Sequence, residues 1–172
     1  MRSLFVAVLA VSGCTVGEVG PTGAGPDAPV GGNPDASAGP DAPAGLTFGT
    51  CRDKVTANLG NGHHNAGQDC QSGCHDHGFT LSGTVYTSTA GTTPAVGATI
   101  TIKDAAGVMF DVVTATNGNF STSRAVTFPV MVVASSCPSA TPMSGSIAAG
   151  DGGCNKSGCH VPGTGQGAIH VP

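Results

Sequence analysis

The chain has 172 residues, a formal net charge of −4, 9% charged residues, 28 glycines and no tryptophan. It carries no basic stripe of the kind that tracks a phosphate backbone, which excludes nucleic acid as a partner class. Seven cysteines and six histidines stand against one glutamate, Glu18, so paired-carboxylate catalysis has little to work with, while thiol, disulfide and metal chemistry have much.

Met1 and Arg2 precede an apolar run, Leu4 to Val11, that has the length of a signal-peptide core and is too short for a permanent membrane span. Residues 1–13 therefore read as a cleaved export signal. Val11-Ser12-Gly13-Cys14 resembles the lipobox of bacterial lipoproteins, which implies lipidation of Cys14 and a membrane anchor. By the same resemblance, Thr15 after the cysteine points to the outer membrane of a bacterial cell envelope, on its periplasmic or surface face. An ordinary signal peptide with a chance cysteine is the competing reading.

Residues 14–47 repeat Pro-Asp-Ala among Gly, Pro and Ala. Such a composition buries too little apolar area to offset its ordering entropy, so a disordered linker is expected after the lipidated cysteine. Frequent proline stiffens it, and its length spans on the order of a few tens of ångströms.

Residues 48–77 form a loop-rich Cys/His segment with Cys51, His63, His64, Cys70, Cys74, His75 and His77. Residues 78–136 then read as strands. Phe79, Leu81 and Val85 share one face of an extended segment ending at Tyr86; Ala98, Ile100 and Ile102 repeat the pattern, and so do Val108, Phe110 and Val112. Asn117-Gly118 is a hairpin signal, because both residues tolerate positive φ. The nearly all-apolar run Pro129 to Ala134 should lie inside a sheet. The fold class expected is mainly β, a small Ig-like β-sandwich flanked by Cys/His segments, the second of which spans residues 137–172.

Gly83-Thr84-Val85, then Pro94 to Ile102, the turn Asp104 to Gly107 and Thr116 to Phe120 together resemble the carboxypeptidase regulatory-like, Ig-like sandwich family. That resemblance implies a structural spacer or binding module without catalytic residues. The protein is not expected to be an enzyme.

Independent placement of the cysteines and histidines gives about a quarter of one Cys-His dipeptide, yet two occur, Cys74-His75 and Cys159-His160, both inside Ser-Gly-Cys-His. Haem attachment explains the adjacency: two thiols add to the porphyrin vinyl groups and the following histidine binds iron. Here three residues separate Cys70 from Cys74 and four separate Cys154 from Cys159, so both sites are stretched relative to C-x-x-C-H, and the extra residues must bulge outward. Two other readings stand beside this one. Six exported cysteines can make three disulfides in a haem-free surface lipoprotein that serves as a binding or structural module. Cys70, Cys74, His75 and His77 are also zinc-ligand types at short spacing.

His64 to Cys70, the first Cys-His pair, the intervening strands, Gly152-Gly153-Cys154-Asn155 and the terminal Ile169-His170-Val171-Pro172 together resemble exported multihaem cytochromes c. The resemblance implies two covalent haems c, or none if the stretched motifs are not loaded. Cys70, Cys74, Cys154 and Cys159 would be the attachment residues. His75 and His160 would be the proximal ligands, with His64 (His63 as its alternative) and His170 opposite them. Met109, Met131 and Met143 are the competing sixth ligands. With imidazole on both sides of iron, electron transfer without catalysis is expected, between a redox partner in the envelope or an extracellular acceptor and the membrane-anchored chain. Cys51 and Cys137 remain, and a disulfide between them completes the cysteine accounting.

Overall fold

The computed structural model describes residues 47–54, 56–63, 65–72 and 77–171, and the protein is mainly β. Its strands are β1 (Leu81–Tyr86), β2 (Thr99–Lys103), β3 (Met109–Val113), β4 (Asn119–Thr122), β5 (Met131–Ser136), β6 (Ser139–Pro142) and β7 (Ile169–His170). They form a three-stranded sheet in the order β4-β1-β7 and a four-stranded sheet in the order β3-β2-β5-β6. Leu81, Val85 and Phe120 of the first sheet and Ile100, Ile102, Phe110 and Ala134 of the second belong to one apolar cluster, so the sheets share a single core. Alternation produces this directly, since residues two apart on a strand project from the same face.

β5 lies between β2 and β6, as its apolar sequence demands. It begins at Met131, however, and only its middle is covered on both faces: Val133, Ala134 and Ser135 are buried, while Met131 and Ser136 are exposed. The hairpin expected at Asn117-Gly118 does not form between sheet neighbours. Gly118 takes a positive φ of 78°, but β3 and β4 belong to different sheets, so this turn carries the chain across the core. Residues 137–172 do more than flank the sandwich. They supply β6, which pairs with β5, and β7, which runs parallel to β1 with Val85 opposite Ile169 and Tyr86 opposite His170.

Ahead of β1, the chain straps the outer face of the four-stranded sheet. A disulfide joins Cys51 to Cys137, with Cα atoms 5.5 Å apart. Arg52 places Nε and a terminal nitrogen 3.0 and 2.5 Å from Asp111 Oδ2 on β3, and Thr101 donates to the other carboxylate oxygen at 2.8 Å. Ser135 Oγ donates to the Arg52 carbonyl at 2.8 Å, and the Lys54 N–H donates to Thr99 Oγ1 at 2.9 Å. The outward polar residues of β2, β3 and β5 are thus covered and hydrogen-bonded. That is the condition under which a buried charge pair is tolerated.

Candidate functional site

The two Cys/His motifs, far apart in sequence, dock on the same strand. The first lies against β1 through side chains: the Gly67 N–H donates to Thr84 Oγ1 at 2.7 Å, and Gln71 Nε2 donates to the carbonyls of Phe79 at 2.9 Å and Thr80 at 3.2 Å. The second extends the sheet. Ser82 N–H donates to the Gly152 carbonyl and Cys154 N–H to the Ser82 carbonyl, both at 2.9 Å, so residues 152–154 run parallel to β1 beside it. Asp69 seals the junction. Its carboxylate accepts from Gln71 N–H at 3.0 Å and Ser72 Oγ at 2.6 Å, and it lies so close to the Cα of Gly153 that a side chain there would collide with it.

Within the second motif the extra residues form an exposed loop: Lys156, Ser157 and Gly158 face solvent while Asn155 is 3% exposed. Asn155 closes that loop. Its Oδ1 accepts from the Thr84 N–H on β1 and its Nδ2 donates to the His160 carbonyl, each at 2.8 Å, while the His160 N–H donates back to the Cys154 carbonyl at 3.0 Å. The stretched spacing therefore still brings the first cysteine and the histidine together.

Cys154, Cys159, His160 and His170 all line one cavity of about 370 Å³. It opens between the sheets, with Ile100, Val132 and Ala134 on one side and Phe120 and Ile169 on the other. Cys154 is part of the core, because Gly83 on β1 has no side chain to fill the space taken by the Cys154 Cβ and the Phe120 ring. Burial, reinforced by the neighbouring Cys159, Asp69 and Cys70, pushes its thiol up to about 12. His160 Nδ1 lies 3.3 Å from the Gly167 carbonyl, and His170 Nδ1 lies 3.4 Å from the Ala168 carbonyl. In the tautomer that carries its proton on Nδ1, each ring would donate to that carbonyl and keep the Nε2 lone pair for another partner, the arrangement that orients a metal-binding imidazole.

Of the first motif's expected site residues, Cys70 and His63 are described; His64, Cys74 and His75 lie outside the described residues, as does the expected lipidation site Cys14. Cys70 and His63 line a second cavity of about 340 Å³ with Phe79 and Phe120. Asn117 and Asn119 fix the His63 backbone by donating to its carbonyl at 2.5 and 2.8 Å. The His63 ring contacts His77 and Phe79 at centroid distances of 5.0 and 5.1 Å. Burial raises the Cys70 thiol; Ser82, whose buried hydroxyl makes no well-formed hydrogen bond, opposes this, and Asp69 adds to it.

Among the described residues, three donor atoms converge within 4.8 Å only at Cys51, Asp53 and Cys137, where both sulfurs are already in the disulfide. Among the described residues, no three of the donors around the larger cavity lie within 4.8 Å of one another. Asn155 and Asp69 were not legible as site residues in the sequence. The one available signal was position: each lies immediately beside a motif cysteine. No protein family, curated protein or solved structure matches the chain.

Proposed function

We propose that the protein is an exported dihaem c-type cytochrome of the bacterial envelope, anchored through Cys14, that relays electrons without catalysing a reaction. The observation that carries this is the second motif: two cysteines and two histidines line one cavity between the sheets, and each imidazole has a backbone carbonyl within reach of its Nδ1. The residues there suit a haem. Much of the lining is apolar, with Ile100, Phe120, Val132, Ala134 and Ile169 among it, no three donors there converge within 4.8 Å among the described residues, and the outward loop keeps Cys154 beside His160. A bound haem would supply one-electron chemistry at iron. The chain's own part is to hold that group by Cys154 and Cys159, to ligate it by His160 and His170, and to exclude water with Ile100, Phe120 and Val132. Cys70, Cys74 and His75, with His64 or His63 opposite, are the corresponding set for a first haem. The proposed partners are a redox protein of the envelope or an extracellular acceptor. The central strands would serve as the Ig-like, carboxypeptidase regulatory-like spacer.

The alternative is a haem-free disulfide-stabilised module, which needs Cys70, Cys74, Cys154 and Cys159 bonded in pairs beside the Cys51–Cys137 bridge. The deciding experiment is expression with a cytochrome c maturation system, followed by a covalent-haem stain on a denaturing gel and intact mass. A stained band with two haem additions is expected. A colourless band whose mass has lost six hydrogens would instead establish the disulfide module.

A further inference from the structure

The larger cavity offers one more iron ligand than an iron with two axial positions needs. Of Met109, Met131 and Met143, only Met143 lines it, together with His160 and His170. We propose that His160 is the fixed ligand and that His170 Nε2 and the Met143 sulfur are alternative sixth ligands that exchange with the oxidation state of iron. This rests on the haem reading of that cavity.

The two candidates are held differently. Met143 directly follows β6, and its N–H donates to the Val132 carbonyl at 3.0 Å, so its backbone is fixed. Its side chain is 39% exposed, unbranched and free to rotate, which lets it reach into the cavity or out to solvent. His170 sits on the two-residue strand β7, the shortest element of the fold. Its ring Nδ1 lies 3.4 Å from the Ala168 carbonyl, at the long end of hydrogen-bond geometry. The His170 backbone is held in β7 opposite Tyr86, between core-packed Ile169 and Val171, so the exchange calls for rotation of the two side chains and no movement of the core.

Ligand softness sets the direction. A thioether favours the softer ferrous iron, and methionine ligation raises the reduction potential relative to two histidines. One electron from the redox partner reduces ferric to ferrous iron; the bond from iron to His170 Nε2 breaks and a bond from iron to Met143 sulfur forms. The exchange as written moves one electron and two coordination bonds and transfers no proton. Oxidation reverses both changes.

The test uses the full-length, haem-loaded chain, alone and in a C70A/C74A background that confines the signal to the second motif. Electronic spectra are recorded in both oxidation states, with voltammetry over a range of scan rates. Unchanged Met143 should give a bis-imidazole ferric spectrum, a ferrous form with methionine ligation, and anodic and cathodic waves whose separation depends on scan rate. Met143→Leu should collapse these to one reversible couple at lower potential with bis-imidazole spectra in both states. A red protein with one reversible couple and the same spectra with or without Met143 overturns the exchange alone. A colourless protein overturns the haem reading and the exchange with it.

Discussion

Replacing Asn155 with Ala isolates the contact that joins the second motif to β1. The amide is 3% exposed and engaged at both ends: Oδ1 receives the Thr84 N–H, and Nδ2 reaches the His160 carbonyl. Alanine leaves both backbone groups without these partners, and Thr84 is fully buried, so no water replaces the lost acceptor there. Each unsatisfied buried group costs roughly 1–3 kcal/mol, so the pair should cost about 3 kcal/mol after partial relaxation. With a urea slope of roughly 1.5 kcal/mol per molar, the midpoint should fall by about 2 M. The chain has no tryptophan, so circular dichroism is the suitable probe, with Asn155→Asp as a companion. Aspartate keeps the acceptor for Thr84 but sets a carboxylate against the His160 carbonyl, so it should not rescue. An Asn155→Ala midpoint within about 0.3 M of the parent would refute the assignment of Asn155 as the closing residue.

Four further outcomes are expected. Cys51→Ser/Cys137→Ser opens a loop spanning 86 residues and should cost roughly 4 kcal/mol in urea unfolding; an unchanged midpoint would mean that the bridge does not constrain the unfolded chain. Asp111→Asn strands Arg52, both side chains being under a tenth exposed, and should cost roughly 3–5 kcal/mol, whereas Arg52→Met/Asp111→Leu should recover much of the loss. In the haem-free chain, Cys154 stays protonated in the folded state to about 12, against 9.0 for an ordinary thiol. Above pH 9 the unfolded chain releases this proton while the folded chain keeps it, so stability falls as pH rises from 9 towards 12. The decline should be shallower in Cys154→Ala, and parallel pH profiles would count against a buried thiol. Deleting Lys156 and Ser157 leaves Cys-Asn-Gly-Cys-His and removes only exposed loop residues; the variant should fold, and it should take up haem at least as well as the parent under a standard maturation system, as read by haem stain.

What could be read from the sequence follows the range of the forces involved. β1, β2 and β3 declared themselves because alternation is local: Leu81 and Val85, or Ile100 and Ile102, signal their shared face within a few residues. The Cys51–Cys137 bridge was also legible, because the other cysteines had claims elsewhere. β7 was not, since two residues carry no period and its existence depends on pairing with β1, more than eighty positions away. The Asn117-Gly118 turn misled for a related reason. The dipeptide specifies a reversal of direction, while the choice of sheet for the returning strand is made by the core, through Phe120. The meeting of both motifs on β1 and the role of Asn155 are tertiary facts of the same kind; the sequence named the cysteines and histidines but not the strand that would gather them.

The strap and its disulfide also decide how tension passes through the molecule. A pull applied at residue 47 and at His170 crosses from Cys51 to Cys137 through sulfur, so residues 52–136, including β1 to β5, cannot be drawn out. The segment under tension holds β6, the second motif and β7. Fully drawn out, its roughly thirty residues extend on the order of 100 Å. Mechanical stress would thus strip β7 from β1 and β6 from β5, opening the Cys154 to His170 cavity, while the disulfide-closed residues could not extend.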